Sequence, residues 1–145
     1  MKKILIFFIV VIAILCTIWY IYSMHKLQRQ EKNVYNKYLE SNLNKDISGT
    51  DLASLINKSA NLNEQNNVLK DSNGNYIDNK QNSISIEIKF IDNDGIIKSE
   101  KIYANGMDKF VALYGNSKFN LKKIEYHNKN KIVKYADFEE QQWNN

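Results

Sequence analysis

Ile4–Tyr22 reads ILIFFIVVIAILCTIWYIY, nineteen residues without a charge. As a helix rising 1.5 Å per residue, this run is roughly 28 Å long, close to the ~30 Å hydrocarbon core of a bilayer. A helix satisfies every backbone polar group internally, so it tolerates lipid. Trp19, Tyr20 and Tyr22 cluster at its C-terminal end, where amphipathic rings suit the headgroup level. The reading is a single transmembrane helix over 4–22, with the lipid bilayer as its partner.

Two processed alternatives weigh against a permanent anchor. Met1-Lys2-Lys3 makes a good positive leader for a secretory signal, but the apolar run is long for one and no A-x-A-like site follows it. Lipoprotein processing needs a small residue just before the cysteine, and Leu15 precedes Cys16. An uncleaved signal-anchor is expected. Its orientation is less determined by charge. Lys2 and Lys3 hold the N-terminus inside, whereas Lys26, Arg29, Lys32 and Lys37 crowd the other flank. A basic pair followed at once by an apolar run resembles an export signal, so the domain is expected outside the cytoplasm, at the plasma membrane.

The composition fits one anchor and one small domain in 145 residues. The net charge is +4, and without Lys2 and Lys3 it is 18 basic against 16 acidic residues. So balanced a domain, with Arg29 its only arginine, gives no reason to expect nucleic acid. Cys16 is the only cysteine, so the polar part holds no disulfide framework. Pro is absent, and the Asn, Ile and Lys bias matches an AT-rich bacterial coding sequence more than a functional choice.

Beyond the anchor, residues 23–47 contain no Gly or Pro and place Leu27, Val34, Tyr38, Tyr35 and Leu39 near helical spacing. They predict a helical stalk that packs on a partner or on the domain itself. Residues 48–145 predict a small α+β domain. Ser48-Gly49-Thr50-Asp51 breaks the first helix and caps a second, whose apolar face is Leu52, Leu55, Ile56 and Ala60 over residues 51–64. Asp71-Ser72-Asn73-Gly74-Asn75 predicts a turn between Leu69 and Tyr76. Ile84, Ile86, Ile88 and Phe90 alternate strictly, the clearest strand in the chain. Asp92–Gly95 then turns it, and 96–103 should return antiparallel. Met107, Phe110, Val111 and Tyr114 mark a short helix ending at Gly115. Strands over 118–127 and 131–138 follow, with a bulge where the apolar phase switches from Phe119 and Leu121 to Ile124 and Tyr126. The tail from Glu139 is expected to fray, with Trp143 free to dock back. The expected fold is thus α+β: a transmembrane helix continuing into a soluble one, then a small antiparallel sheet with one or two packed short helices.

No catalytic, cofactor-binding or metal-ligating residue is singled out. His25 and His127 are the only histidines, and neither has a neighbouring nucleophile or ligand set. Asp92-x-Asp94-Gly95 and Asp71-x-Asn73-Gly74 echo calcium loops, but the first ligand would fall on Phe90 or Leu69. They read as turns. Lys118, Lys122, Lys123, Lys129, Lys131 and Lys134 crowd the last hairpin. They read as a solvated face that blunts a sheet edge, the alternative being a contact for anionic lipid headgroups or an anionic wall polymer.

The order of elements resembles that of type IV pilins and pseudopilins: a short basic N-terminus, an apolar helix running on into an amphipathic one, then a sheet. The resemblance is one of layout. No Gly precedes the apolar run for prepilin peptidase, and residues 4–8 hold no Glu. It implies a non-catalytic binding or assembly module, pilin-like or part of a secretion apparatus, with an envelope protein or a second copy as partner. A small envelope enzyme or inhibitor, and an adaptor facing the cytoplasm, are the other expectations.

Overall fold

The computed structural model describes residues 2–92 and 95–142, and divides into two compact units, 1–34 and 35–145. Helix α1, Lys2–Ser41, runs through that boundary. No Gly or Pro interrupts it, and the Thr17 hydroxyl turns back to donate to Ile14 O at 2.7 Å, so the one aliphatic hydroxyl in the apolar run is satisfied locally. In the first unit, the apolar side chains described between Ile4 and Tyr22 are almost all exposed. It is long and apolar enough to cross a membrane. Side chains close the far end: Ser41 Oγ and Asn42 Nδ2 donate to Tyr38 O, and Lys45 Nζ donates to Ser41 O at 2.7 Å. A lysine there also meets the negative end of the helix dipole. Asn44 then takes φ +60°, a conformation asparagine tolerates better than most residues.

The second unit is a mixed five-stranded sheet with helices packed on it. Its elements in order are β1 (Asp46–Ser48), α2 (Gly49–Gln65), β2 (Ser85–Lys89), β3 (Ile96–Lys98), α3 (Ser99–Asn105), α4 (Met107–Tyr114), β4 (Lys118–Tyr126) and β5 (Val133–Gln141). The strand order is β1-β4-β5-β2-β3. Ser48 caps α2 reciprocally: its Oγ accepts from Asp51 N at 3.0 Å and donates to Asp51 Oδ2 at 2.8 Å. Gly49 is required beside it, because a Cβ there would overlap the carbonyl oxygen of Tyr114.

One face of the sheet is the core. Ile86 and Ile88 of β2, Phe119 and Leu121 of β4, and Ala136 and Phe138 of β5 are all buried in one cluster. Leu52, Leu55, Ile56 and Leu62 of α2 join it, as do Tyr35 and Leu39 from the end of α1. The stripe near the stalk's end therefore covers the domain's own core. The alternation of 84–90 and the phase switch in β4 have their expected outcome, the register slipping between Leu121 and Lys123.

Four expectations are corrected. The sheet is not purely antiparallel: β2 pairs β5 in parallel, Ile86 opposite Ala136. Alternation fixes which face a strand buries, not which neighbour it takes; here the chain between the two strands crosses over through α3 and α4. The return strand is only three residues long, and 99–105 is helical. Ile96 and Ile97 stand side by side, so the period-2 pattern is broken, and Ile102 is buried as part of α3 instead. The stalk helix stops at Ser41, and 46–48 form the edge strand β1. Glu139 and Glu140 belong to β5: Glu139 meets Lys89 at 3.3 Å, and Glu140 Oε2 accepts from Ile91 N at 3.2 Å. Asn93, Asp94 and Trp143 lie outside the described residues, so the turn over 92–95 and the docking of Trp143 do too.

Candidate binding surfaces

The face of the sheet opposite the core is polar and sets acidic side chains beside both lysines and one another. Glu87 of β2 stands beside Asp137 of β5, Lys89 beside Glu139, and Lys123 of β4 beside Asp137. Burial, and then Glu87 and Glu139, push the Asp137 carboxyl above the usual range. The Tyr135 hydroxyl donates to Glu87 Oε2 at 2.9 Å; burial first, then that carboxylate, holds the phenol protonated far into the alkaline range.

A cleft of about 450 Å³ opens at one end of this face, between the strands and the 76–84 segment. Tyr76, Ser85, Lys98, Glu125 and Tyr135 are among its walls. The segment is folded by its own side chains. Asp78 Oδ1 accepts from Lys80 N at 2.8 Å and Ser83 Oγ at 3.1 Å, and Lys134 Nζ lies 3.0 Å from Oδ2. These bonds hold the Asp78 carboxyl below its ordinary range. Asn79 Oδ1 accepts from the backbone of Gln81, Asn82 and Ser83.

His127 is buried at the end of β4 and acts on this segment structurally. Its Nε2 lies 2.7 Å from Ser83 O. A carbonyl only accepts, so Nε2 carries the proton. His25 is exposed on α1. Asp71 Oδ1 accepts from Asn73 N and Asn75 N, both at 2.9 Å, so the carboxylate closes its own turn; these bonds lower its pKa. Among the described residues no group of three or more His, Cys, Asp or Glu side chains is placed to hold a metal ion. Three of the six crowded lysines of the last hairpin sit against carboxylates. Lys122 faces Glu139 at 3.7 Å, Lys123 pairs with Glu125 at 2.6 Å, and Lys134 pairs with Asp78. The face is solvated, but the expectation that it blunts a sheet edge is corrected: β4 and β5 are interior strands, and β1 and β3 are the edges. Isolated exposed pairs of this kind contribute little stability.

The second surface is apolar. A groove of about 600 Å³ runs between β3, α3 and α4, floored by Phe90, Ile97, Ile102 and Phe110. Leu113, 76% exposed, stands at its edge with Lys101 and Lys109. Its floor is stiffened by aromatic contacts: Phe90 lies 4.7 Å from Tyr114 and 5.9 Å from Phe119 between ring centroids. Gly106, at φ +100°, is the joint that lets α4 follow α3 directly. Neither surface was legible beforehand, because each depends on which strands are neighbours. Comparison of the chain with protein-family models, curated proteins and solved structures found no match.

Proposed function

We propose that this is a non-catalytic, single-pass membrane protein whose domain stands outside the cytoplasm and serves as a binding and assembly module of the cell envelope. One observation carries the reading. The helix that presents its apolar run to the surroundings continues, without a break in hydrogen bonding, into Tyr35 and Leu39 of a separately cored α+β domain. A leader that is discarded has no need of that continuity. The same layout, a long helix whose second half joins the core of a sheet, supports a role of the pilin or secretion-apparatus type, although the sequence lacks the prepilin peptidase motif.

The test is topological. Membranes from cells making the chain are washed with alkaline carbonate, and intact cells are treated with a protease that does not enter. The chain is expected to stay in the membrane at its full 17.0 kDa, and the domain to be cut from outside. Release by carbonate, or a chain shortened by its first 22 residues or so, overturns the anchor. A domain cut only after the cells are opened places it inside, as the lysines after Tyr22 would favour, and makes it a cytoplasmic adaptor. The polar cleft favours a second reading, a small envelope enzyme or inhibitor. Turnover or saturable binding of cell-wall fragments, lost in Tyr135→Phe, would establish it.

A further inference from the structure

Two turns distant in sequence, 78–83 and 127–132, meet at one end of the α+β domain. Asn130 Nδ2 donates to Gln81 O at 2.6 Å, and His127 Nε2 donates to Ser83 O at 2.7 Å. The same end receives the chain from α1: Asn36 Nδ2 donates to Lys131 O at 2.8 Å, and its Oδ1 accepts from Val133 N at 3.0 Å. Lys80, Lys129 and Lys131 are exposed there. Among the described residues none of the three meets a carboxylate at ion-pair distance. The carboxylates around them are already matched, Asp78 by Lys134 and Glu125 by Lys123. Glu40, which accepts from the Tyr126 hydroxyl, has Lys37 one turn before it on α1. A surplus of positive charge is left at this end. Lys80 and Lys131 are also held at φ +59° and +56°, a conformation that asparagine or glycine takes with less strain. Both turns keep a cation where a neutral residue would suit the backbone better.

We infer that this end of the domain binds the anionic lipid headgroups of the membrane in which the chain is anchored. The inference rests on the anchored reading and holds on either side of the bilayer. Lysines on separate turns suit a surface of many anions, whereas a single bound anion calls for the convergent fork that arginine provides.

Chain length makes lipid the anionic surface at hand. Asn36 stands fourteen positions after Tyr22, about 21 Å along a helix and never more than about 50 Å by any path. Linkage over so short a span keeps the local concentration of headgroups high around the end of the domain that the link joins. A lysine near an anionic bilayer strengthens attachment about fivefold, so three strengthen it roughly a hundredfold.

Lysine acetylation on the full chain tests this, with nanodiscs of phosphatidylcholine alone set against nanodiscs containing about one third phosphatidylglycerol. In 0.1 M salt the anionic lipid should slow acetylation of Lys80, Lys129 and Lys131 about fivefold or more, and leave Lys101 and Lys109 of the apolar groove unchanged. The protection should vanish at 1 M salt, where screening cuts the reach of a charge from about 10 Å to about 3 Å. Amide exchange gives a second readout. Anionic lipid should slow it over 79–82 and 128–131, and should not do so in the combined variant Lys80→Asn, Lys129→Gln and Lys131→Asn. That variant puts asparagine at both left-handed positions, so its domain should melt no lower than wild type. Equal acetylation in both bilayers, protection that survives 1 M salt, or amide protection retained in the variant overturns the inference. Protection in intact cells but in neither kind of nanodisc overturns lipid in favour of a wall polymer or another protein. Carbonate extraction of cell membranes separates the two failures: release of the chain sinks the anchor, and a retained chain without protection sinks only the lipid contact.

Discussion

Asn63 is the residue whose loss the domain should feel most for its size. It is 1% exposed, on the buried side of α2. Its Nδ2 donates to Ile84 O at 2.7 Å and its Oδ1 accepts from Ile84 N at 2.8 Å. Ile84, itself buried, immediately precedes β2, so one side chain supplies both bonds that a neighbouring strand would otherwise give. Asn63→Ala strands a buried N–H and a buried C=O. Each unsatisfied group costs about 1–3 kcal/mol, so the loss should be about 2–6 kcal/mol out of roughly 5–15 for a whole domain. At roughly 4 °C per kcal/mol, the melting temperature followed by circular dichroism should fall by about 8–24 °C. Asn63→Asp adds a pH signature. The new carboxylate still accepts from Ile84 N but turns a second oxygen toward Ile84 O. Burial raises its folded pKa above the unfolded value of about 3.9, so the deficit relative to wild type is least below pH ~4 and grows as pH rises through the folded pKa. A loss under about 1 kcal/mol for Asn63→Ala, or a pH-independent deficit for Asn63→Asp, would refute the reasoning.

Three further outcomes follow from the geometry. Gly49→Ala should destabilise by about 1–3 kcal/mol or more, because the Cβ meets backbone at Tyr114 that cannot swing aside; Gly74→Ala, at φ +81° but in open space, should cost only about 1 kcal/mol, and a melt of each compares them. Ser48→Ala should lose about 1 kcal/mol of helix cap, read from a denaturant midpoint shift with unchanged slope. In an ultraviolet titration, Tyr76 and Tyr126 should ionise near 12: burial raises both, helped by Glu64 and Glu40 respectively. Their folded pKa values lie above the unfolded value of about 10, so the stability they add is complete below pH ~10 and is lost as pH climbs toward 12. Tyr126→Phe should remove one of the two phases near pH 12.

What could be read beforehand is what local chemistry decides. Strict alternation at Ile84, Ile86, Ile88 and Phe90 admits only a half-buried strand, and the switch of apolar phase after Leu121 admits only a slip in register. The Ser48-Gly49 break is legible because a cap and a glycine act within one turn. What stayed hidden depends on partners far along the chain. Nothing near Glu87 announces that Tyr135 will donate to it, forty-eight residues away. Asn63 lies in a run of Asn and Gln that reads as solvated, and only its place on the inner side of α2 makes it structural. The charged hairpin misleads in the other direction, since Lys122 meets Glu139 only once β5 is seen to run past Phe138, and the carboxylate that counters Lys134 is Asp78, from a segment far back in the chain.

The position of β5 bears on how the protein is made. It is the middle strand of the sheet and also the last to be synthesised among those described. Until it emerges, β1 with β4 and β2 with β3 are two separate pieces, neither able to enclose Ile86, Leu121 or the inner side of α2. The apolar span, by contrast, is available from the first moments of translation. On the anchored reading proposed above, a nascent chain elongating at about 5–20 residues per second is held at the bilayer by its first helix for several seconds before the domain can close. Insertion then precedes folding, and during that interval the half-built core is sheltered only by whatever escorts the chain at the membrane.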